Sequence, residues 1–328
     1  MTMSRPRISV IVLNYNGADL LDACLTALRR EAAGAEILVV DNASTDASRD
    51  VVARNADVRL LPLKENRGFA GGNNQGAAAA MASDYLVFLN NDTVVQPGWL
   101  QTLTGVLDAR TDAALVTSQI VSLKNPDIVD SAGDGYLWAG GAFKRWHGER
   151  VRTGTAVEEV FGACGAAFGI RRSVFETLGG FDERFFMVYE DVDLSYRARL
   201  RGHRVLYVPG AVVHHAGSAT LGRASARAVF YGQRNLEWVW LKNTPGSLLV
   251  RSIPAHVLYS VTGCMYWMMR GAGWAALRGK LSAAAALPAV LRARQTLPHD
   301  AAIHASIEAQ LTKGWLAVKR GEKAARTW

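Results

Sequence analysis

Residues 85–92 read Tyr85-Leu86-Val87-Phe88-Leu89-Asn90-Asn91-Asp92, five apolar residues running without a break into three polar ones. An unbroken apolar run of this length is what a strand covered on both faces needs, and its polar end marks where the chain leaves the core. Upstream, Ile37-Leu38-Val39-Val40 ends in Asp41 in the same way. Downstream, the strand-like run Phe185-Phe186-Met187-Val188-Tyr189 leads into Glu190-Asp191. Carboxylates delivered by the carboxyl ends of successive strands of an open α/β sheet meet in one crevice, so the pattern points to an enzyme.

Around this stretch the chain alternates strand and helix. Ile8–Leu13 reads as a buried strand; Leu21, Cys24, Leu25 and Leu28 recur at helical spacing, with Asp19 as a cap. Ile37–Val40 is a second strand, Ser44-Thr45-Asp46 can cap a helix reaching about Ala53, and Val58–Leu63 is a third strand. A helix is expected over Gly72–Met81 and another from about Pro97 to Ala109. This order predicts a mostly parallel sheet flanked by helices. Residues 124–159, with Gly133, Gly135, Gly140 and Gly141 among aromatics and charges, read as an irregular substrate-facing segment. Regular structure is expected again at Ala163–Ile170, Arg172–Leu178, Asp191–Arg201 and Arg204–Val208.

Charge divides the chain. Residues 1–217 carry 22 Lys and Arg against 25 Asp and Glu, and residues 218–328 carry 15 against 4. A near-neutral catalytic part (1–220) followed by a basic, apolar helical part (221–328) implies an anionic surface as partner, either membrane headgroups or nucleic acid. Cys24, Cys164 and Cys264 offer neither a disulfide framework nor metal-ligand spacing. The run Ile8–Leu13 is too short for a signal-peptide core, so a reducing, cytoplasmic setting is expected.

Several groups can carry chemistry. Asn66–Gly76 is a glycine-rich loop entering a helix, able to approach phosphate or simply to turn tightly. Asp41 can accept from a base or ribose, or cap a turn; Asp92 can hold a hard divalent cation, or again close a turn. Glu190, Asp191 and Asp193 crowd one helix start, where the dipole welcomes acids and where crowding raises the pKa of one towards that of a general base. His214-His215 follows Val212-Val213 and is either structural or metal-ligating.

Together, Val10–Gly17, Val39–Asp46, Asn66–Gly76, Phe88–Thr93 and Gly179–Leu194 resemble the family-two inverting nucleotide-sugar glycosyltransferases of GT-A fold, and within them the bacterial rhamnosyltransferase-like branch. The likeness covers about residues 8–218. It implies that Asp41 contacts the nucleobase near Leu13 and Asn14, that Arg67 sits beside the nucleotide, and that Asn16, Gly72 and Asn91 complete that site. It further implies Asp92 and His215 as ligands of Mg2+ or Mn2+, with His214 the alternative, and Asp191 as catalytic base beside Glu190. Asn90 stands where the family's metal motif has its first carboxylate, which weakens metal affinity rather than the need for metal. Two rivals are a nucleotidyltransferase, which would make pyrophosphate, and a non-catalytic assembly factor on the same scaffold, which would have lost Glu190-Asp191.

Between Arg251 and Arg270 lie 18 residues free of Lys, Arg, Asp and Glu, short for a span and interrupted by Pro254. Tyr259, Tyr266, Trp267 and Trp274 suit a headgroup interface, and Arg270, Arg278, Lys280, Arg292 and Arg294 suit anionic lipid better than nucleic acid. A buried packing domain is the alternative. The expectation is a bacterial enzyme peripheral to the cytoplasmic face of the membrane, moving rhamnose from a dTDP-linked donor to a lipid-linked or growing polysaccharide acceptor.

Overall fold

A computed structural model describes residues 7–152, 154, 156–217, 225–294 and 300–324, with side chains to residue 321. The first half runs β1 (Ile8–Asn14), α1 (Ala18–Glu31), β2 (Glu36–Asp41), α2 (Ser48–Ala53), β3 (Arg59–Pro62), α3 (Gly68–Ala79), β4 (Tyr85–Asn90), β5 (Thr93–Val95), α4 (Trp99–Ala109) and β6 (Ala113–Ser122). There follow β7 (Val129–Ser131), β8 (Asp134–Tyr136), β9 (Ala142–Lys144), β10 (Glu158–Glu159), β11 (Ala167–Arg171), α5 (Arg172–Thr177), α6 (Glu190–Arg199) and β12 (Arg204–His215). The chain ends in α7 (Ala226–Asn243), α8 (Gly246–Met269), α9 (Gly273–Ala285), α10 (Leu287–Arg294), α11 (Ala301–Gln310) and α12 (Trp315–Ala324).

The main sheet has ten strands along the path β10-β12-β6-β11-β4-β1-β2-β3, with β5 on β12 and β7 on β6. It is parallel through β3-β2-β1-β4 and mixed beyond, where β11 runs antiparallel to both β4 and β6. Strands β2 and β3 lie to one side of β1 and β4 to the other, so the order reverses at β1, the usual place for a ligand crevice. Register puts Asn14 beside Asp41, and Leu13 beside Asn90, at that edge. Apolar cores cover both faces of the sheet, and a third joins Tyr136, Phe161, Phe185 and Tyr196 to Trp238, Val239, Leu248 and Ile307 of the C-terminal helices.

The differences from the sequence reading have local causes. Residues 185–189 are not a strand: a 3-10 turn at Glu183–Phe185 leads into left-handed backbone at Phe186, Val188 and Tyr189, with Phe185 and Met187 buried. Helix α1 is capped at Gly17, and its first amide, of Ala18, is served by Asp46 at 3.0 Å rather than by Asp19. Strand β12 continues past Val208 to His215 because a bulge at 209–211 absorbs Pro209 and Gly210. The segment 124–159 holds four short strands, β7 to β10. Among the described residues no helix is long and apolar enough to cross a membrane.

Candidate active site

The carboxyl ends of β1 and β2 carry a network of short polar side chains. Asn91 donates to Asn14 Oδ1 at 2.6 Å, Asn14 donates to Ser44 Oγ at 3.2 Å, and Asn16 Oδ1 accepts the Thr45 amide at 2.8 Å. Asp41 is fully buried; Arg49 binds one oxygen at 2.6 Å and the Ser44 amide the other at 3.3 Å. Asn42 accepts the Arg67 amide at 2.9 Å and donates to the Gly68 carbonyl, pinning the glycine-rich loop at the start of α3. Arg67 itself is exposed beside Glu65. A Cβ on Gly72 would lie 2.4 Å from Leu13 Cδ1, so this glycine lets α3 approach β1.

The turn after β4 and the end of β12 meet next. Pairing of β5 with β12 sets His215 opposite Thr93, and the two-residue alternation of the strand sends His214 to the other face, half-exposed. His215 Nε2 lies 3.2 Å from Asp92 Oδ1. His215 Nδ1 bonds Asp130 Oδ2 at 2.8 Å, and the same oxygen binds Lys144 Nζ at 2.7 Å. Burial would raise the Asp130 carboxyl, but Lys144, His147 and His215 hold it far below the ordinary carboxylate range. Burial disfavours the His215 imidazolium, yet Asp130 and Asp92 outweigh that and raise its pKa.

This pair fits a divalent cation. Asp92 Oδ1 is buried and without a hydrogen bond among the described residues, and it faces an imidazole nitrogen whose orientation is fixed from behind by a carboxylate. A carboxylate behind a ligating histidine is the usual second layer of such sites. Among the described residues no cluster of three or more His, Cys, Asp or Glu forms a cage. A cation held here would take Asp92 and His215 as its protein donors.

Glu190, Asp191 and Asp193 open α6 and part company there. Asp193 is buried against Arg197 at 2.7 Å, Lys242 at 2.8 Å and Asn243 at 2.8 Å; burial opposes its charge, but Lys242 and Arg197 keep its pKa below the ordinary value. Glu190 is buried with Oε2 unpartnered among the described residues, and burial together with the Asp191 charge pushes its pKa well up. Asp191 is half-buried; Oδ2 accepts the Gly165 amide and Oδ1 the Val192 amide, each at 2.8 Å. Burial raises its pKa against the pull of those amides and of Lys144. Burial and the Asp191 charge likewise push Asp134 well up.

One segment joins the two loci: Gly165 donates to Asp191, and the carbonyl of Ala166 accepts the Asn90 amide at 2.9 Å. The sequence reading missed Asp130, Asp134 and Lys144, which sit on β7, β8 and β9. The one signal for them was the acid spacing in Asp130-Ser131-Ala132-Gly133-Asp134 within a glycine-rich stretch.

With this geometry in hand, residues 9–179 match the description "Glycosyl transferase family 2". The chain belongs to that family. It is 33% identical over 230 residues to the pre-mycofactocin glycosyltransferase of Mycobacterium tuberculosis, covering 69% of this chain and 46% of that protein. The chain therefore spans about half the length of that relative. It is 28% identical over 246 residues to the N-acetylglucosaminyl-diphospho-decaprenol L-rhamnosyltransferase of the same organism, covering 67% of this chain and 79% of that one. Among solved structures, a mannosyltransferase from Pyrobaculum calidifontis in complex with GDP-Man and Mn2+ superposes with a TM-score of 0.54 at 18% identity, covering 99% of this chain and 88% of that chain. That likeness shows the shared fold. The chain thus carries a family 2 glycosyltransferase domain on a GT-A-like sheet, followed by a C-terminal helical region.

Proposed function

We propose that the chain is a metal-dependent, inverting glycosyltransferase that moves a sugar from a nucleoside-diphosphate donor to a lipid-linked or growing cell-surface polysaccharide acceptor. Rhamnose from a dTDP-linked donor is the first donor to test, because the relatives include a rhamnosyltransferase named for a decaprenol-linked substrate. The observation that carries the reading is the joining of the Asp92–His215 pair to Asp191 through Gly165 and Ala166.

In this reading Leu13, Asn14, Asn16, Asp41, Arg67, Gly72 and Asn91 shape the nucleotide end, with Asp41 holding the loop through Ser44. Asp92 and His215 hold Mg2+ or Mn2+, which would offset charge growing on the departing diphosphate. Asp191 takes the acceptor hydroxyl proton as that oxygen bonds to the anomeric carbon and the carbon–oxygen bond to the diphosphate breaks. Each Asp191 oxygen already accepts one amide, which orients the lone pair left for the proton. Burial raises its pKa, and a higher pKa makes a carboxylate a stronger base. Burial and the Asp191 charge raise the carboxyls of Glu190 and Asp134 beside it.

The acceptor side rests on α8 and α9. Val250, Ile253, Val257, Val261, Met265 and Met268 lie exposed along α8, and Trp274, Leu277 and Leu281 along α9. Their spacing of three and four residues makes one apolar face on each helix, flanked by exposed Arg270, Arg278 and Arg292. Such a surface suits an anionic bilayer at the cytoplasmic face. Lys280 and Arg294 are turned inward: Lys280 pairs with Glu237, and Arg294 donates to the Leu241 carbonyl at 2.8 Å. The test is a panel of nucleotide sugars assayed for free nucleoside diphosphate with acceptor, metal or EDTA. Metal-dependent release from one donor is expected; pyrophosphate as product, or full activity in excess EDTA, would contradict the reading.

A further inference from the structure

The loop that delivers Glu190 and Asp191 does not hold itself. Phe186 has φ 63°, Val188 φ 66° and Tyr189 φ 76°, and none is glycine. L side chains avoid this region, a β-branched valine most of all, so the surrounding structure must impose it. On one side the Phe186 carbonyl accepts the amides of Phe69 and Ala70, at 2.6 and 3.3 Å, from the first turn of α3. On the other stands α7, from the C-terminal helices. Asn235, fully buried, points its amide nitrogen at three carbonyls of the loop: Phe185 at 3.0 Å, Met187 at 2.8 Å and Val188 at 2.7 Å. Its own Oδ1 accepts from Arg234 at 2.9 Å, which fixes which end of the amide faces the loop. Arg234 also donates to the carbonyls of Arg184 and Phe185 at 2.7 and 3.0 Å, and Tyr231 stacks on Phe186 with ring centroids 5.2 Å apart.

We infer that Asn235 is a positioning residue for glycosyl transfer: it clamps residues 185–188 in their left-handed course and so sets the position of Asp191. The inference rests on the reading of Asp191 as base. The two N–H groups of one side-chain amide are shared among three loop carbonyls, and although Arg234 also reaches the Phe185 carbonyl, the bonds from α7 to the Met187 and Val188 carbonyls come from Asn235. Helix α7 thereby reaches the catalytic loop through Asn235.

Asn235→Asp keeps the shape and removes the donor. With saturating metal, kcat is expected to fall ~10²-fold, the scale for a reacting group displaced by about 1 Å, while KM for the donor stays within about threefold. Val239→Ala is the control, since Val239 is buried on the same helix in the C-terminal core and its side chain makes no hydrogen bond to the loop. It should lower the melting temperature and leave kcat unchanged at a temperature where both variants are folded. A kcat for Asn235→Asp no lower than that of Val239→Ala overturns the inference. Should Asn235→Asp not fold, Arg234→Ala, which removes two of the loop's bonds from a half-buried side chain, is expected to lower kcat about tenfold at unchanged donor KM. Wild-type kcat in that variant overturns it equally. Asp191→Asn run alongside separates the two readings: if it is inactive and Asn235→Asp is not, only the clamp fails, and if it is fully active, the base assignment fails.

Discussion

Replacing Asp130 by Asn tests the metal site without touching either proposed ligand. Asp130 is buried, accepts from His215 Nδ1 at 2.8 Å and pairs with Lys144 at 2.7 Å. The carboxylate holds the ring so that Nε2 faces Asp92, and it makes that nitrogen more basic. Asn keeps the volume but drops the charge and can offer a donor where His215 needs an acceptor. Loss of such a partner usually weakens metal affinity by about 10–100-fold, or about 1.4–2.7 kcal/mol. Titrating activity and nucleoside-diphosphate binding with Mn2+ should show the half-saturating metal concentration rise by that factor, with activity largely restored at high metal. The sign with pH follows from His215, whose pKa is raised by Asp130 and Asp92 against burial. A cation must displace that proton, so wild-type metal affinity should increase as pH rises through the raised value. Unchanged Mn2+ dependence in Asp130→Asn would refute the argument that Asp92 and His215 form the cation site.

Glu237 is buried between His256, Ser260 and Lys280; burial would raise its carboxyl, but His256 and Lys280 bring it down to about 2 from 4.5. A depressed acid stabilises the fold above its unfolded pKa and loses that contribution as pH falls, so roughly 3 kcal/mol should disappear between about pH 4.5 and 2. Urea melts should show wild type and Glu237→Gln converging in that window, and parallel curves would contradict the pairing. On vesicles, replacing Arg270, Arg278 and Arg292 by Ala should weaken binding to anionic bilayers by about 3 kcal/mol, roughly 10²-fold, with the difference shrinking as salt rises. Sedimentation independent of these residues and of lipid charge would remove the membrane reading.

The sheet edge that carries Asn14, Asp41 and Asp92 was legible because it obeys strand rules. Buried runs at Ile8–Leu13, Ile37–Val40 and Tyr85–Leu89 stop where the sheet stops, so Asn14, Asp41 and Asp92 fall at one edge. Glu190 and Asp191 were singled out, but how they are presented was not legible, for equally physical reasons. Glu190-Asp191 is presented by a left-handed loop, whose conformation comes from Asn235 and Phe69, 45 or more residues away in the chain and without any local periodicity. Asp130 and Lys144 lie on strands of three residues, too short to announce themselves by alternation. His215 could be told from His214 only once the bulge at 209–211 had set which face of β12 each side chain takes. In the C-terminal helices the sequence showed aromatic and basic residues but not which basic ones turn inward, since the partner of Lys280 is Glu237 on another helix.

The most direct test of the account is the turnover of Asp191→Asn at saturating donor, acceptor and metal. Asn retains the shape and can accept one of the Gly165 and Val192 amides through its carbonyl oxygen, but its NH2 group cannot accept the other and the side chain cannot take a proton. The account predicts donor affinity within a few-fold of wild type and turnover lower by ~10²-fold or more, the scale for losing a general base. Near-wild-type turnover would contradict it.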